Sequence, residues 1–176
     1  MSENEPARLG VLFSGGGRTL ENLAQQVAQG SLRAQIAVAI SSHPKAGGIA
    51  RAQRFGIPTR VVDWREHKTD FSARVLAMLD EARVDWIVLA GFLRYLDFPG
   101  RWEGRVLNIH PSLLPRHGGK GFYGDRVHRA VLEAKDRVSG CTVHFVDREY
   151  DQGPIILQRA VAVAPDDTPE SLAERV

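Results

Sequence analysis

Short apolar runs alternate with amphipathic, helix-periodic segments along this 176-residue chain. The apolar runs lie at 8–14, 34–41, 59–62 and 86–90. Between the first two runs, Leu20, Leu23, Ala24 and Val27 recur at the spacing of one helix face. Almost wholly apolar strands are typical of a parallel sheet that is covered on both faces. The pattern therefore predicts an α/β fold: a single doubly wound, mostly parallel, Rossmann-like sheet with helices on both faces.

Size and composition limit the possible classes of protein. A chain of 176 residues without a repeat or linker predicts one domain spanning 1–176. The net charge is only +2, and acidic and basic residues are interspersed, so the sequence does not indicate the basic surface that nucleic-acid-binding proteins carry. No apolar run is long enough for a membrane span, and the first ten residues lack a signal region, so we expect a cytoplasmic protein. The lone Cys141 excludes an internal disulfide and a multi-cysteine metal site.

The segment 105–115, RVLNIHPSLLP, holds the first candidate site. Side chains alternate along a strand, so Asn108 and His110 are expected on one face. Pro111 ends the strand, which puts the pair at its carboxyl end, where open α/β sheets bind ligands. An amide beside an imidazole can polarise a carbonyl and move a proton. The alternative is that both residues have structural roles: a histidine whose ring is hydrogen-bonded within the fold at the strand end, and an asparagine that stabilises a turn.

A glycine loop follows the first predicted strand. Gly15, Gly16 and Gly17 precede a helix that starts near Thr19, and Arg18 adds a positive charge. A strand, a glycine turn and a helix N-terminus form an anion site, because unpaired N–H groups and the helix dipole both favour negative charge. The motif is neither G-x-G-x-x-G nor a P-loop. The alternative is a turn that needs positive φ.

Later segments add to the prediction. Residues 91–96 follow the fourth strand and could form an apolar slot, and Asp151 in the loop 147–153 is a second candidate acid.

We expect His128 to be exposed on a helix, and His144 to be a half-buried structural residue of a strand. Thr168, Pro169 and Glu170 predict a helix start, and the short remainder suggests a truncated or partly disordered C-terminal helix.

Four motifs together resemble the phosphoribosylglycinamide formyltransferases, folate-dependent enzymes of purine synthesis. The motifs occur in order at 13–17 (FSGGG), 89–94 (LAGFLR), 107–115 (LNIHPSLLP) and 151–158 (DQGPIILQ). The likeness runs from about Arg8 to Val176. It implies a single formyltransferase domain that passes formyl from 10-formyltetrahydrofolate to the primary amine of glycinamide ribonucleotide.

The resemblance also implies roles for individual residues. Asn108 and His110 would aim donors at the tetrahedral oxyanion, and Asp151 would orient His110 and favour its protonated form. The substrate phosphate would bind at Gly15, Gly16, Gly17, Arg18 and Thr19. The folate would bind at Lys68, Leu93, Arg94, Tyr95, Leu96 and Asn108. No metal is required, the partners are small-molecule substrates rather than nucleic acid or membrane, and the protein would be a monomer or homodimer.

Other functions remain alternatives. Methionyl-tRNA formyltransferase would need a C-terminal RNA-binding domain and a basic surface. A formyltetrahydrofolate hydrolase would use water as the acceptor. A non-catalytic nucleotide-binding module would use only the glycine loop, and would leave Asn108, His110 and Asp151 without a role.

Overall fold

The computed structural model describes residues 5–176, which form two compact units that divide after Val106. Residues 1–4 belong to the N-terminal stretch used for the cytoplasmic prediction, and they lie outside the described residues. Within residues 5–176, no helix has both the length and the apolar character that crossing a bilayer requires.

The first unit is built on parallel strands in the order β3-β2-β1-β4. Each crossover between parallel strands carries a helix, as the alternating pattern predicts. The elements are β1 (Ala7–Phe13), α1 (Arg18–Ala28), β2 (Ala34–Ser41), α2 (Gly48–Arg54), β3 (Thr59–Val61), α3 (Phe71–Glu81), β4 (Trp86–Leu89) and a 3-10 helix (Gly100–Trp102).

The core of the first unit lies between its central strands and its helices. Val11, Leu12 and Phe13 at the end of β1 are fully buried. Leu20 of α1 and Leu79 of α3 are also fully buried, because the apolar stripe of each helix faces inward. Burial of a complete leucine side chain contributes about 1.5–3 kcal/mol to folding. The carboxyl ends of β1 and β4 are thereby fixed, and the loops that follow them start from rigid positions.

The second unit contains antiparallel strands in the order β5-β6-β7. Its elements are β5 (Val106–His110, whose first residue belongs to the first unit), α4 (Asp125–Glu133), β6 (Val138–Phe145), β7 (Ile155–Ala162) and α5 (Pro169–Arg175). In β6, Thr142 and His144 are buried while Cys141, Val143 and Phe145 are half-buried, which is the predicted alternation.

Both helices of the second unit bear on the sequence predictions. α4 packs through Val127 and Val131 as expected, but His128 is only 3 % exposed, so its predicted exposure is wrong. A nine-residue helix buries a wide stripe, and His128 lies beside Val127 and Val131 within that stripe. α5 starts as predicted, with the Thr168 side chain accepting the Ser171 N–H and Pro169 at the first helical position.

Burial determines the first testable prediction. Replacing the fully buried Leu20 with alanine should lower the free energy of unfolding by about 2–5 kcal/mol, because a cavity is left in the core. The control is Leu157→Ala in β7, where the side chain is 62 % exposed and little packing is lost. Urea denaturation measures both changes. Equal losses in the two variants would contradict the core described here.

Candidate active site

Asp151 brings together the polar side chains that the sequence placed on one face of β5. Its Oδ1 accepts a hydrogen bond from Asn108 Nδ2 at 3.2 Å, and its Oδ2 lies 3.4 Å from His110 Nδ1. The Asp151 side chain is 10 % exposed, and its backbone is left-handed, with φ of 58°. Aspartate tolerates this conformation better than most residues. An amide, an imidazole and a carboxylate from distant chain positions therefore meet in the second unit.

His144 is a member of this cluster that the sequence analysis missed. Its Nδ1 donates to the Phe145 carbonyl at 2.8 Å, so in the neutral ring Nε2 is the acceptor for Asn108 Nδ2 at 3.0 Å. The ring is 1 % exposed, so the expectation of a half-buried structural residue is wrong. The signal that could have found it is the antiparallel register, in which Asn108 and His144 are direct partners. Sequence alone does not supply that register.

The contacts of Asn108 differ from the expected ones. Its amide nitrogen already donates to His144 Nε2 and to Asp151 Oδ1, which uses both amide hydrogens. The opposite orientation of the amide would set an oxygen against the carboxylate, which is repulsive. The remaining polar atom of Asn108 is therefore Oδ1, an acceptor. To donate to a reacting oxygen, Asn108 must exchange one of these two contacts.

The two ring nitrogens of His110 have different tasks. Nε2 donates to the His117 carbonyl at 2.8 Å, and a carbonyl is only an acceptor, so Nε2 holds a proton in either charge state. Any proton that His110 gains or loses in this arrangement is therefore carried on Nδ1, which faces Asp151. The assigned tautomer follows from these partners.

Burial dominates the charge state of His110. Desolvation lowers the pKa of His110, and the nearby rings of His144 and His117 lower it further. The Asp151 charge and the His117 carbonyl raise the pKa, but they do not offset burial, so the net pKa lies below that of an exposed histidine. The prediction that Asp151 favours the protonated ring has the correct direction for that one contact. Burial, which the sequence does not reveal, outweighs that contact.

Asp151 stays ionised despite its burial. Burial raises the pKa of its carboxyl, but contacts with His144 and His110 and the Gly119 N–H, which donates to Oδ2 at 2.9 Å, outweigh that effect. The net pKa of Asp151 is therefore lowered. Among residues 5–176, no group of three or more His, Cys, Asp or Glu side chains is placed to hold a metal ion.

The glycine loop lies in the first unit at the N-terminus of α1. Gly17 caps the helix with φ of 76° and ψ of 27°, and no side chain accepts a hydrogen bond from the first turn. Gly15 and Gly16 are exposed, with open space around their α-carbons, and Arg18 is exposed beside the half-buried Thr19. The loop thus has unpaired, accessible N–H groups next to a positive charge, which is the environment an anion prefers.

Ser14 joins the glycine loop to the segment 91–96. Its N–H donates to the Gly91 carbonyl at 3.0 Å, and its Oγ accepts from the Leu93 N–H at 2.8 Å. Leu93 and Tyr95 are 43 % and 47 % exposed, while Leu96 is buried at 4 %. The structure therefore brings together two of the predicted binding segments of the first unit.

The remaining predicted folate residues have different surroundings. The Arg94 guanidinium lies 5.5 Å from the centre of the Trp64 ring, in a cation–π contact. Trp64 in turn packs edge-on against Phe71, at 5.4 Å between ring centres. Lys68 is exposed in the turn before α3. Leu93, Arg94 and Tyr95 thus lie on a loop supported by aromatic packing. Among residues 5–176, no contact fixes the ammonium group of Lys68.

Sequence comparisons agree with the motifs. The formyl transferase family model matches residues 7–176. The chain is 44 % identical over 178 residues to the trifunctional purine biosynthetic protein adenosine-3 of Gallus gallus, covering 99 % of this chain and 17 % of that protein. It is 40 % identical over 182 residues to the chloroplastic phosphoribosylglycinamide formyltransferase of Arabidopsis thaliana, covering 99 % of this chain and 62 % of that protein. The chain thus spans less than two thirds of these relatives.

Solved structures are similar over nearly the whole chain. Glycinamide ribonucleotide transformylase 1 from Symbiobacterium toebii has a TM-score of 0.89 at 38 % identity, covering 98 % of this chain and 81 % of that one. The phosphoribosylglycinamide formyltransferase from Brucella melitensis has a TM-score of 0.86 at 39 % identity, covering 98 % and 88 %. These likenesses confirm the predicted α/β class with a mostly parallel sheet.

The second testable prediction concerns the balance at His110. Asp151→Asn removes the negative charge that raises the pKa of His110, so that pKa should fall further below its ordinary value. An NMR titration of the His110 ring measures the change, and the exposed Asp166→Asn serves as the matched control. A His110 pKa that is unchanged or raised in Asp151→Asn would contradict the electrostatic account.

Proposed function

Since the chain belongs to the formyl transferase family, we propose that it transfers formyl from 10-formyltetrahydrofolate to the primary amine of glycinamide ribonucleotide. The resemblance identified from the sequence motifs is confirmed at the level of the family. Two kinds of relative support glycinamide ribonucleotide as the formyl acceptor. Some are named phosphoribosylglycinamide formyltransferase, and others are named trifunctional purine biosynthetic proteins. The observation that carries the proposal is the shared Asp151 carboxylate between Asn108 and His110.

The chemistry requires two proton movements. The amine nitrogen attacks the formyl carbon, which forms a tetrahedral oxyanion, and the bond from that carbon to the folate nitrogen then breaks. The amine loses a proton and the folate nitrogen gains one, so the overall proton count is unchanged. A group that titrates near neutrality suits this relay.

We assign these proton movements to the His110–Asp151 pair. His110 Nδ1 faces the ionised Asp151, and a proton on Nδ1 makes an imidazolium whose charge stabilises the oxyanion. The low exposure of both side chains, 4 % and 10 %, strengthens that electrostatic effect. Asn108 Oδ1 would accept an N–H of the incoming amine, while its Nδ2 contacts with Asp151 and His144 fix the amide plane.

We assign substrate binding to the first unit, with Asn108 as a further folate contact. The N–H groups of the glycine loop and the Arg18 guanidinium would hold the ribonucleotide phosphate, with Thr19 beside them. Leu93, Arg94, Tyr95 and Leu96 would hold the folate, with Lys68 contributing positive charge. The exposed apolar surface of Leu93 and Tyr95 supports this assignment, because an aromatic ring system buries such surface on binding.

The broader setting is also proposed. Residues 1–176 would act as one formyltransferase domain, and the match of the family model to residues 7–176 supports this. Only small-molecule substrates would be needed, without a metal, nucleic acid or membrane, in a monomer or homodimer. The location would be the cytoplasm, although the Arabidopsis relative is named chloroplastic.

The third prediction tests the proposed catalytic residues. His110→Ala should lower kcat by about 10²–10³, the usual cost of removing one group that stabilises the oxyanion. Asn108→Ala should lower kcat by about 10², because the incoming amine loses the acceptor that orients it. The control is Asn22→Ala, an exposed position on α1 that should keep full activity. A spectrophotometric assay of folate product measures turnover. Near-normal turnover in either variant would remove that residue from the mechanism.

The same assay identifies the acceptor. Product should form only when glycinamide ribonucleotide is present, because the amine is the nucleophile. Equal rates with and without the ribonucleotide would instead support a formyltetrahydrofolate hydrolase.

The fourth prediction tests the phosphate loop. Gly17→Ala should raise KM for glycinamide ribonucleotide, because a β-carbon at Gly17 would lie 2.5 Å from the Gly48 α-carbon and φ of 76° favours glycine. The KM for the folate substrate should change much less. Gly30→Ala has a similar φ of 75° in open space, so it controls for backbone strain alone. An unchanged KM for the ribonucleotide in Gly17→Ala would contradict the phosphate assignment.

A further inference from the structure

The segment 116–119, which follows Pro115, contacts His110 and Asp151 through its backbone atoms. The His117 carbonyl accepts from His110 Nε2 at 2.8 Å, and the Gly119 N–H donates to Asp151 Oδ2 at 2.9 Å. His110 and Asp151 are therefore both held by backbone atoms of one short segment. The position of His110 and Asp151 depends on what fixes that segment.

Asp136, which lies between α4 and β6, fixes the segment from outside the cluster. Its Oδ2 is 2.7 Å from His117 Nε2, and its Oδ1 is 2.5 Å from Arg116 Nη2. The hydrogen bond from His117, together with the Arg116 charge, lowers the pKa of the Asp136 carboxyl. The His117 and Asp136 side chains are 13 % and 18 % exposed, so both are partly shielded from solvent.

Backbone geometry couples the His117 side chain to its carbonyl. His117 is left-handed, with φ of 52°, and Ser112 Oγ donates to the preceding carbonyl of Arg116 at 2.6 Å. A β-carbon at Gly118 would lie 2.4 Å from Leu114 Cδ2, so the backbone at Gly118 passes close to the Leu114 side chain. With the flanking backbone restrained in this way, holding the His117 ring also holds the direction of its carbonyl.

The direction of that carbonyl decides which nitrogen of His110 is available. An acceptor on Nε2 keeps a proton there and leaves Nδ1 to exchange a proton opposite Asp151. If the carbonyl turned away, a proton on Nδ1 would instead be favoured by Asp151, and the neutral ring would change tautomer. The charged and titratable groups that shift the pKa of His110 are Asp151, His144 and His117. Of these, the Asp151 carboxylate lies against Nδ1 rather than Nε2.

We propose that His117 and Asp136 are positioning residues: the hydrogen bond between their side chains holds the His117 carbonyl against His110 and so sets the tautomer of the catalytic imidazole. The catalytic consequence rests on the proposed formyl transfer. The tautomer itself does not, because it is a property of the free protein and is measurable without substrate.

The test compares variants that break or restore the pair. Asp136→Asn removes the charge, His117→Phe keeps a ring that can pack on Phe122 but removes the donor, and His117→Gln supplies an amide donor in its place. Asp166→Asn, at an exposed position, is the matched control for loss of a carboxylate. Long-range ¹H–¹⁵N NMR spectra of the imidazole rings report the tautomer and pKa of His110, and steady-state kinetics report kcat and KM for both substrates.

We expect the wild type and Asp166→Asn to show neutral His110 protonated on Nε2. In Asp136→Asn and His117→Phe, the Nδ1-protonated tautomer should become populated, and the pKa of His110 should fall because the carbonyl contact that raises it is weakened. Misplacing a catalytic group by about 1 Å can cost 10²-fold, so kcat should fall up to about 10²-fold with little change in KM. His117→Gln should restore much of both properties.

Unchanged tautomer and pKa of His110 in both Asp136→Asn and His117→Phe would overturn the proposal, whatever the activity. Loss of activity with an unaltered His110 signal in folded protein would also overturn it, because the pair would then act only structurally. If the tautomer changes as expected but no variant, including the wild type, transfers formyl, the positioning proposal stands and the proposed function fails.

Discussion

The arrangement of the second unit depends on one buried carboxylate. Removing an ionised carboxyl from water costs several kcal/mol, and only hydrogen bonds and opposite charge offset that cost. Asp151 meets the requirement with the Asn108 amide and the Gly119 N–H. A proton on His110 Nδ1 or His144 Nε2, which lie 3.4 and 3.5 Å from the carboxylate, adds opposite charge beside it. The hydrogen bonds to the carboxylate also fix the positions of the groups that donate them. Because Asp151 lies in the loop 147–153 and Gly119 in the segment 116–119, the same carboxylate orders both segments.

The opposing influences on His110 suit a group that must both accept and release a proton. Burial favours the neutral ring, while Asp151 and the His117 carbonyl favour the charged ring, and the net result is a lowered pKa. A histidine with a lowered pKa in the folded state binds fewer protons than in the unfolded chain. Its contribution to stability is therefore present above the unfolded pKa of about 6.5 and is lost as the pH falls below it. Burial of His110 therefore lowers the stability of the folded protein in acid, and it also keeps the imidazole neutral and able to accept a proton.

Sequence patterns predicted the strands and helices well, but they predicted the contacts around Asp151 only in part. The predicted bounds of β2 are those observed, and Asn108, His110 and Asp151 do come together. The patterns missed His144, because its role depends on the antiparallel register with Asn108. They also missed the burial of His128 and the contact between His117 and Asp136. Periodicity identifies faces and ends of elements, but long-range register and desolvation are properties of the folded chain.

The most direct measurement is the pH profile of kcat/KM for formyl transfer, recorded alongside an NMR titration of the His110 ring in the free protein, because kcat/KM reports the pKa values of the free enzyme. If the His110–Asp151 pair moves the proton, the pH at which kcat/KM changes should coincide with the midpoint of the His110 titration, and both should move to lower pH in Asp136→Asn. A kcat/KM profile that stays fixed while the His110 titration moves would contradict the account.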